Sequence, residues 1–275
     1  MRERTVTINC LVKNITLEVI KLLFPPSKIG RKPKHTNEEY LKEIFYVLKE
    51  GIGWDYSKGL KVTGDALRKI FKKWTDGEVF KLVWAIVVDI YSTFKLDFND
   101  VFIDASFIKN YMGSETVGKN HYDRFKKATK LSIITDDIGA PIGIILDKGN
   151  VHDIKLVTDT IRSIQLPLNS VENLIADKGY CSKSLKGKLY RKYMMQLITP
   201  RKKKKGQKGK IRGRKPKLEY KLKDRFIVEH TFAWFKHYAR LFRRKDRKIK
   251  NFESFVFLGA SNIIGNKLNH LLNYG

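Results

Sequence analysis

The segment that decides the fold opens with VFIDAS (101–106) and closes with KLSIITDDIGAPIGIILD (130–147). It holds three short runs rich in Val, Ile and Phe, the composition of strands. The Gly-containing link at Ile138 and Gly139 reads as the turn of a hairpin between the second and third runs. Downstream, a helix is expected after His152, a strand in VENLIAD (171–177), a helix from Ser182 to Tyr193 and a short strand in MQLIT (195–199). Three strands, a helix, a strand, a helix and a strand make a mixed five-stranded sheet with helical crossovers, so the class is α/β.

Upstream the pattern is helical. Thr36 followed by Glu39 has capping-box form, and Leu41, Ile44, Phe45 and Leu48 recur at helical spacing until Gly51. A second helix is expected from Asp65 to Trp74, with Leu67, Ile70, Phe71 and Trp74 on one side and Arg68, Lys69, Lys72 and Lys73 between them. Such a helix can enter a DNA groove as helix-turn-helix recognition helices do; an ordinary solvated face is the alternative. With a third helix from Val79 to Tyr91, residues 30–96 read as a small all-α, helix-turn-helix-like DNA-binding domain. Residues 1–29 form an N-terminal segment and 97–275 the α/β domain. Two more helices, Lys223 to Leu241 and Phe252 to Leu272, close the chain.

The chain has 56 Lys and Arg against 28 Asp and Glu, a formal net charge of +28 over 275 residues. Such a surplus points to a polyanionic partner, nucleic acid before anionic lipid. Its densest part, RKKKKGQKGKIRGRKPK (201–217), is too charged to pack. That run reads as a DNA-tracking loop, a nuclear import signal or a solvated stretch of charge. Cys10 and Cys181 offer neither a disulfide framework nor paired zinc-ligand spacing, and no segment is apolar enough to span a bilayer. An intracellular protein is expected, in the cytoplasm or nucleoid of a bacterium or the nucleus of a eukaryote.

Three carboxylates stand out. Asp104 lies inside the first strand, and Asp177 ends VENLIAD, where open α/β sheets form ligand crevices. The two share a site if their strands are parallel neighbours. Glu229 lies in DRFIVEHTFAWFKHYAR, with Arg225 and Lys236 within roughly 40° of it around a helix axis. Taken alone, that helix carries only an i, i+4 ion pair. Three converging carboxylates repel one another unless divalent cations neutralise them, and oxygen donors select Mg²⁺ or Mn²⁺ over zinc. Two such ions suit in-line phosphoryl transfer.

In order along the chain, VFIDAS, IGAPIGIILDKGNVHD, LIADKGY and RFIVEHTFAWFKHYARLFRR resemble the blocks of bacterial insertion-sequence DDE transposases, particularly the fifth insertion-sequence family and its Harbinger relatives. GRKPKHTNEEYLKEIFYVLKEGIGW and LRKIFKKWTDGEVF are similar to that family's N-terminal helices, so the likeness runs from Gly30 to Leu268. The family's late signature has a Tyr where this chain has Leu222; Arg225, Glu229 and Lys236 fit it. The resemblance implies a ribonuclease H-like core in which Asp104, Asp177 and Glu229 bind two Mg²⁺ or Mn²⁺ ions and carry catalysis. It also implies neighbouring first and fourth strands, and phosphate contacts from Arg225 and Lys236, with Arg240 expected among the DNA contacts.

Asn150, His152 and Asp153 fall in a family block too, although a histidine at a helix start is more often structural. Lys178, Gly179 and Tyr180 are expected to shape the turn holding Asp177. The implied partners are the terminal inverted repeats and target DNA, both double-stranded, with a homodimer or larger assembly at synapsis and no membrane. Two rivals stay open: a domesticated DNA-binding protein without catalysis, and another ribonuclease H-like nuclease.

Overall fold

A computed structural model describes residues 7–26, 33–56, 62–95, 97–166, 170–201 and 219–274. The basic run 201–217 lies outside the described residues except for Arg201.

The strands are β1 (Asp100–Asn110), β2 (Gly118–Lys119), β3 (Lys127–Thr135), β4 (Pro141–Lys148), β5 (Asn173–Ala176), β6 (Gln196–Ile198) and β7 (Arg243–Arg244). Five of them make the body of the sheet in the order β4-β3-β1-β5-β6. β4, β3 and β1 pair antiparallel, and β1, β5 and β6 pair parallel. This is the expected mixed sheet, enlarged by two strands of two residues each, β2 on β3 and β7 on β1.

The helices are α1 (Cys10–Leu23), α2 (Asn37–Glu50), α3 (Gly64–Asp76), α4 (Val79–Phe94), α5 (Asp153–Arg162), α6 (Lys183–Tyr193), α7 (Phe226–Lys236), α8 (Ala239–Phe242) and α9 (Ile249–Tyr274). α2 begins on a complete capping box between Thr36 and Glu39 and ends at Gly51, whose φ of 64° is left-handed. α1 was not expected. It starts on Asn9, whose side chain accepts from the Leu11 and Val12 amides, and buries Val12 and Ile20.

The expected helix from Lys223 to Leu241 is a correction: a 3-10 turn over Glu219–Arg225 leads into α7, and the chain breaks again between α7 and α8. The second break has a tertiary cause. Tyr238 is extended and buried, accepts a hydrogen bond from Asn262 Nδ2 at 2.9 Å, and sets its ring edge-on to Phe45.

Packing crosses residue 96. α9 lies against α4, α1 and α3, so helices from both ends of the chain share one apolar cluster with the sheet. Phe71 of α3 stacks on Phe255 of α9 at 4.4 Å, and Trp84 of α4 stacks on Phe257 at 5.1 Å while donating to the Pro141 carbonyl of β4. The helical segment 30–96 is thereby fixed to the sheet through a core in which aromatic burial dominates.

The β3–β4 turn anchors α7. Gly139 has φ +81°, and a Cβ there would lie 2.8 Å from Thr231 Oγ1 and 3.1 Å from the Trp234 ring. Thr231 Oγ1 donates to the Gly139 carbonyl at 2.9 Å. Gly139→Ala is expected to cost about 1 to 3 kcal/mol from backbone strain and crowding together. A thermal melt read beside Thr231→Val, which removes only the hydrogen bond, checks this; the glycine variant should melt lower.

Candidate active site

The register brings the two aspartates side by side. β1 and β5 run parallel with Ile103 opposite Ala176, so Asp104 and Asp177 are the residues that follow this pair, one within β1 and the other just past β5. Asp177 stands just past the carboxyl end of β5 and caps the one-turn 3-10 helix Lys178–Tyr180, which is the turn those residues were expected to shape. The strand adjacency left open by the sequence is therefore met.

α7, which bears Glu229, packs on β1. Alternation along β1 places Asp104 and Ser106 on one face. Ser106 and Leu131 of that face line a small cavity with Phe232, Phe235 and Lys236 of α7. Glu229 sits in the first turn of α7, exposed, two residues before the Thr231 anchor. Arg225, just ahead of α7, closes on Asp177 with Nη1 to Oδ1 at 2.5 Å.

The Asp104 carboxyl is pushed up to about 6, first by burial and then by the charges of Asp153, Asp177 and Glu229, against an opposing hydrogen bond from the Ala105 backbone. Tyr180 is buried, its hydroxyl has no hydrogen-bond partner, and burial with the charges of Asp104, Asp153 and Asp177 raises its pKa. Asp153 was not among the expected acids, yet its charge reaches Asp104. It opens α5 and pairs with the buried Lys130 at 2.6 Å, and Lys130 also donates to the Val151 carbonyl. The signal was there in GNVHD, since an acid at a helix start is ordinary until a sheet carboxylate lies beside it.

Among the described residues no group of three or more His, Cys, Asp or Glu side chains is gathered tightly enough to hold a metal ion. The donor set nonetheless suits a hard divalent cation. It is all oxygen, Asp104 is destabilised in its charged form by burial first and then by its acidic neighbours, and Tyr180 presents an orphaned buried hydroxyl to the same acids. In this arrangement Asp177 is neutralised by Arg225 instead.

The cationic residues fall into two groups. On α3, Arg68 pairs with Asp55 at 2.7 Å and Lys69 with Asp65 at 2.9 Å, whereas Lys72 is exposed and Lys73 lies over the Phe24 ring. Lys236 is exposed at the end of α7. Arg240, expected to touch DNA, is 2% exposed. Its Nε and Nη2 hold Asp246 at 3.0 and 2.8 Å, and its Nη1 donates to the Ile52 carbonyl. The break before α8 turned it inward. His152 is the N-cap of α5, its Nδ1 accepting from the Ile154 amide at 3.3 Å, which is the structural role.

The Transposase DDE domain family matches residues 97–263, more than half of the chain. The chain belongs to the DDE transposases. Over 164 residues, 57% of this DDE transposase and 72% of the relative, it is 29% identical to the "Putative transposase for insertion sequence element IS402" of Burkholderia cepacia. Among solved structures, a piggyBac transposase synaptic complex with hairpin DNA aligns over 96% of this chain and 72% of that one, with a TM-score of 0.52 and 12% identity. At that identity the likeness speaks to fold alone, and the fold is ribonuclease H-like: a mixed sheet with flanking helices. A Mos1 mariner paired end complex with Mn covers 90% of this chain and 81% of that one at 13% identity, with a TM-score of 0.35.

Proposed function

We propose that this DNA transposase uses Asp104, Asp177 and Glu229 to cut the 3′ ends of its element and join them to target DNA. The observation that carries the reading is the parallel register of β1 and β5, which sets Asp104 beside Asp177 under a helix that bears Glu229 and is pinned to the β3–β4 turn. Those three carboxylates would hold two Mg²⁺ or Mn²⁺ ions, which supply an activated oxygen nucleophile and charge stabilisation for in-line displacement at phosphorus.

The chain's own groups divide the remaining tasks. Arg225 balances the charge of Asp177, and its guanidinium has the fork geometry that grips a phosphate. Lys236 stands seven residues beyond Glu229, ~10 Å along α7, so it meets a backbone phosphate further along the strand. The exposed cations of α3 supply duplex contacts for recognising the inverted repeats. Cutting and joining two ends together requires at least a homodimer at synapsis.

The test is a nicking and strand-transfer assay on duplexes carrying the element's ends, with Mg²⁺ or Mn²⁺. The wild type is expected to nick and join, while Asp177→Asn and Glu229→Gln each lose about 10³-fold or more and keep DNA binding within a few-fold. Binding that never leads to nicking would assign the chain to non-catalytic DNA-binding descendants. Hydrolysis without joining would assign it to other ribonuclease H-like nucleases.

A further inference from the structure

A second cationic feature lies away from the carboxylates. A cavity of roughly 700 Å³ opens between α3 and the segment leading from β7 into α9. Arg68 and Lys72 stand on one wall, and Lys245, Arg247, Lys248 and Lys250 on the other. Part of this charge is accounted for within the fold. Arg68 pairs with Asp55, Lys245 donates to the Gly51 carbonyl at 2.6 Å, and Lys250 donates to the Asp76 carbonyl at 3.3 Å. Lys72, Arg247 and Lys248 are exposed and have no ion-pair partner among the described residues.

The wall carrying Arg247 and Lys248 is braced from inside. Arg244 is fully buried, and its guanidinium donates to the backbone carbonyls of Asp246 at 3.0 Å and Arg247 at 3.1 Å as well as to the Glu115 carbonyl and Thr129 Oγ1. Arg240 clamps the Asp246 side chain beside it. Two buried arginines thus fix the backbone that displays two unpaired cations. A merely solvated charged turn needs no such frame, whereas a contact to a regularly spaced polyanion gains affinity from preorganisation.

We propose that this groove seats the sugar–phosphate backbone of duplex DNA, through Arg247 and Lys248 on one wall and Lys72 on the other. The identity of the duplex as the protein's own DNA substrate rests on the transposase reading above. A duplex fits better than a compact acidic group because the unpaired cations are divided between two walls, Lys72 on one and Arg247 and Lys248 on the other, along a backbone held in place by Arg244. Met112, at one lip, follows the end of β1 at Asn110, and Asn110 lies six residues from Asp104 along the strand. That span is ~20 Å at the strand rise, equal to about six base pairs of B-form DNA. One duplex can therefore touch both places, and the groove is a contact separate from the cutting site.

The experiment measures affinity for a random-sequence 30-base-pair duplex in EDTA across a salt series. It compares wild type, Arg247→Ala/Lys248→Ala, and Lys186→Ala/Lys188→Ala, which removes the same charge from the exposed side of α6. The groove variant should bind about tenfold or more weakly, with a log K against log salt slope reduced by about two, and the α6 variant should stay within about twofold of wild type. Equal losses in both variants, or an unchanged slope in the groove variant, would overturn the proposal. Loss of polyglutamate binding with duplex binding intact would also overturn it, and would assign the groove to an acidic protein. Because no divalent metal is present, the outcome is independent of nicking. A groove variant that loses duplex affinity while the wild type never cuts would leave the groove standing and remove the catalytic reading alone.

Discussion

Asp104→Asn is expected to melt higher than the wild type in EDTA at pH 8 while losing all metal-dependent nicking. The reason is the position of the carboxyl at the bottom of the site. Its pKa rises from 3.8 to about 6 because burial, and then the charges of Asp153, Asp177 and Glu229, oppose ionisation. A folded-state value above the unfolded one means that the native state favours the proton. The stabilisation from that proton is complete below the unfolded value and is lost as pH climbs through the folded one. Wild type and variant should therefore melt alike near pH 4, diverge between pH 4 and 6, and keep a constant gap above. Two units correspond to on the order of 2 to 3 kcal/mol, a gap of about 5 °C or more for a chain of this size. Adding Mg²⁺ should narrow the gap, since only the aspartate gains from binding a cation. A gap that does not change with pH would show that neither burial nor its neighbours' charge holds Asp104 against ionisation.

This result would express one feature of the site: the Asp104 carboxylate is placed against the interest of the fold. The sheet register brings Asp104 and Asp177 to neighbouring positions, and the anchor between Thr231 and Gly139 fixes α7, which bears Glu229 in its first turn. Within the fold, Arg225 offsets one of these charges and Lys130 offsets that of Asp153. On the proposed function, stability and catalysis pull in opposite directions at Asp104, as they do wherever a function needs like charges at short range.

The sequence disclosed the strands because a half-buried strand writes its own pattern, and it marked three carboxylates as candidates because Asp104 lies inside an apolar strand, Asp177 ends another and Glu229 shares a helix face with cations. It left strand adjacency open, since pairing is a relation between segments 70 residues apart that neither segment records alone. α1 escaped notice although Asn9 caps it well, because its apolar residues serve α4 and α9, the latter at the other end of the chain. The break at Tyr238 is likewise invisible locally. No Pro or Gly interrupts EHTFAWFKHYARLF, and the helix ends because Tyr238 finds Asn262 and Phe45. The misplacement of Arg240 followed directly. On an unbroken helix its side chain would project outward with the other cations, but after the break it points into the core. The sequence places Asp153 in a family block with Asn150 and His152 but cannot join it to Asp104, because the two lie on different elements.

The buried pair of Arg240 and Asp246 gives the other large effect. Both side chains are 3% exposed, and the guanidinium also donates from Nη1 to the Ile52 carbonyl while lying 5.7 Å from the Trp54 ring centroid and 5.3 Å from that of Phe255. Asp246→Asn would leave a guanidinium charge without its counter-ion in that setting, at an expected cost of about 3 to 5 kcal/mol. For a chain of this size that is a fall in melting temperature of about 10 °C, and it should persist at 1 M salt because screening barely reaches a pair excluded from solvent. Asp246→Leu combined with Arg240→Met should recover most of the loss, since two apolar groups leave no charge to satisfy. A DNA-facing arginine would behave in the opposite way. Its removal would leave the melt unchanged, weaken duplex binding and flatten the salt dependence, so measuring the melt and the binding curve on the same Asp246→Asn and Arg240→Met proteins separates an internal brace from a phosphate contact. If the brace holds the 245–247 backbone as the hydrogen bonds of Arg244 and Arg240 indicate, the double apolar variant should fold well and still bind DNA less tightly. Its cations would be present, but no longer fixed in place.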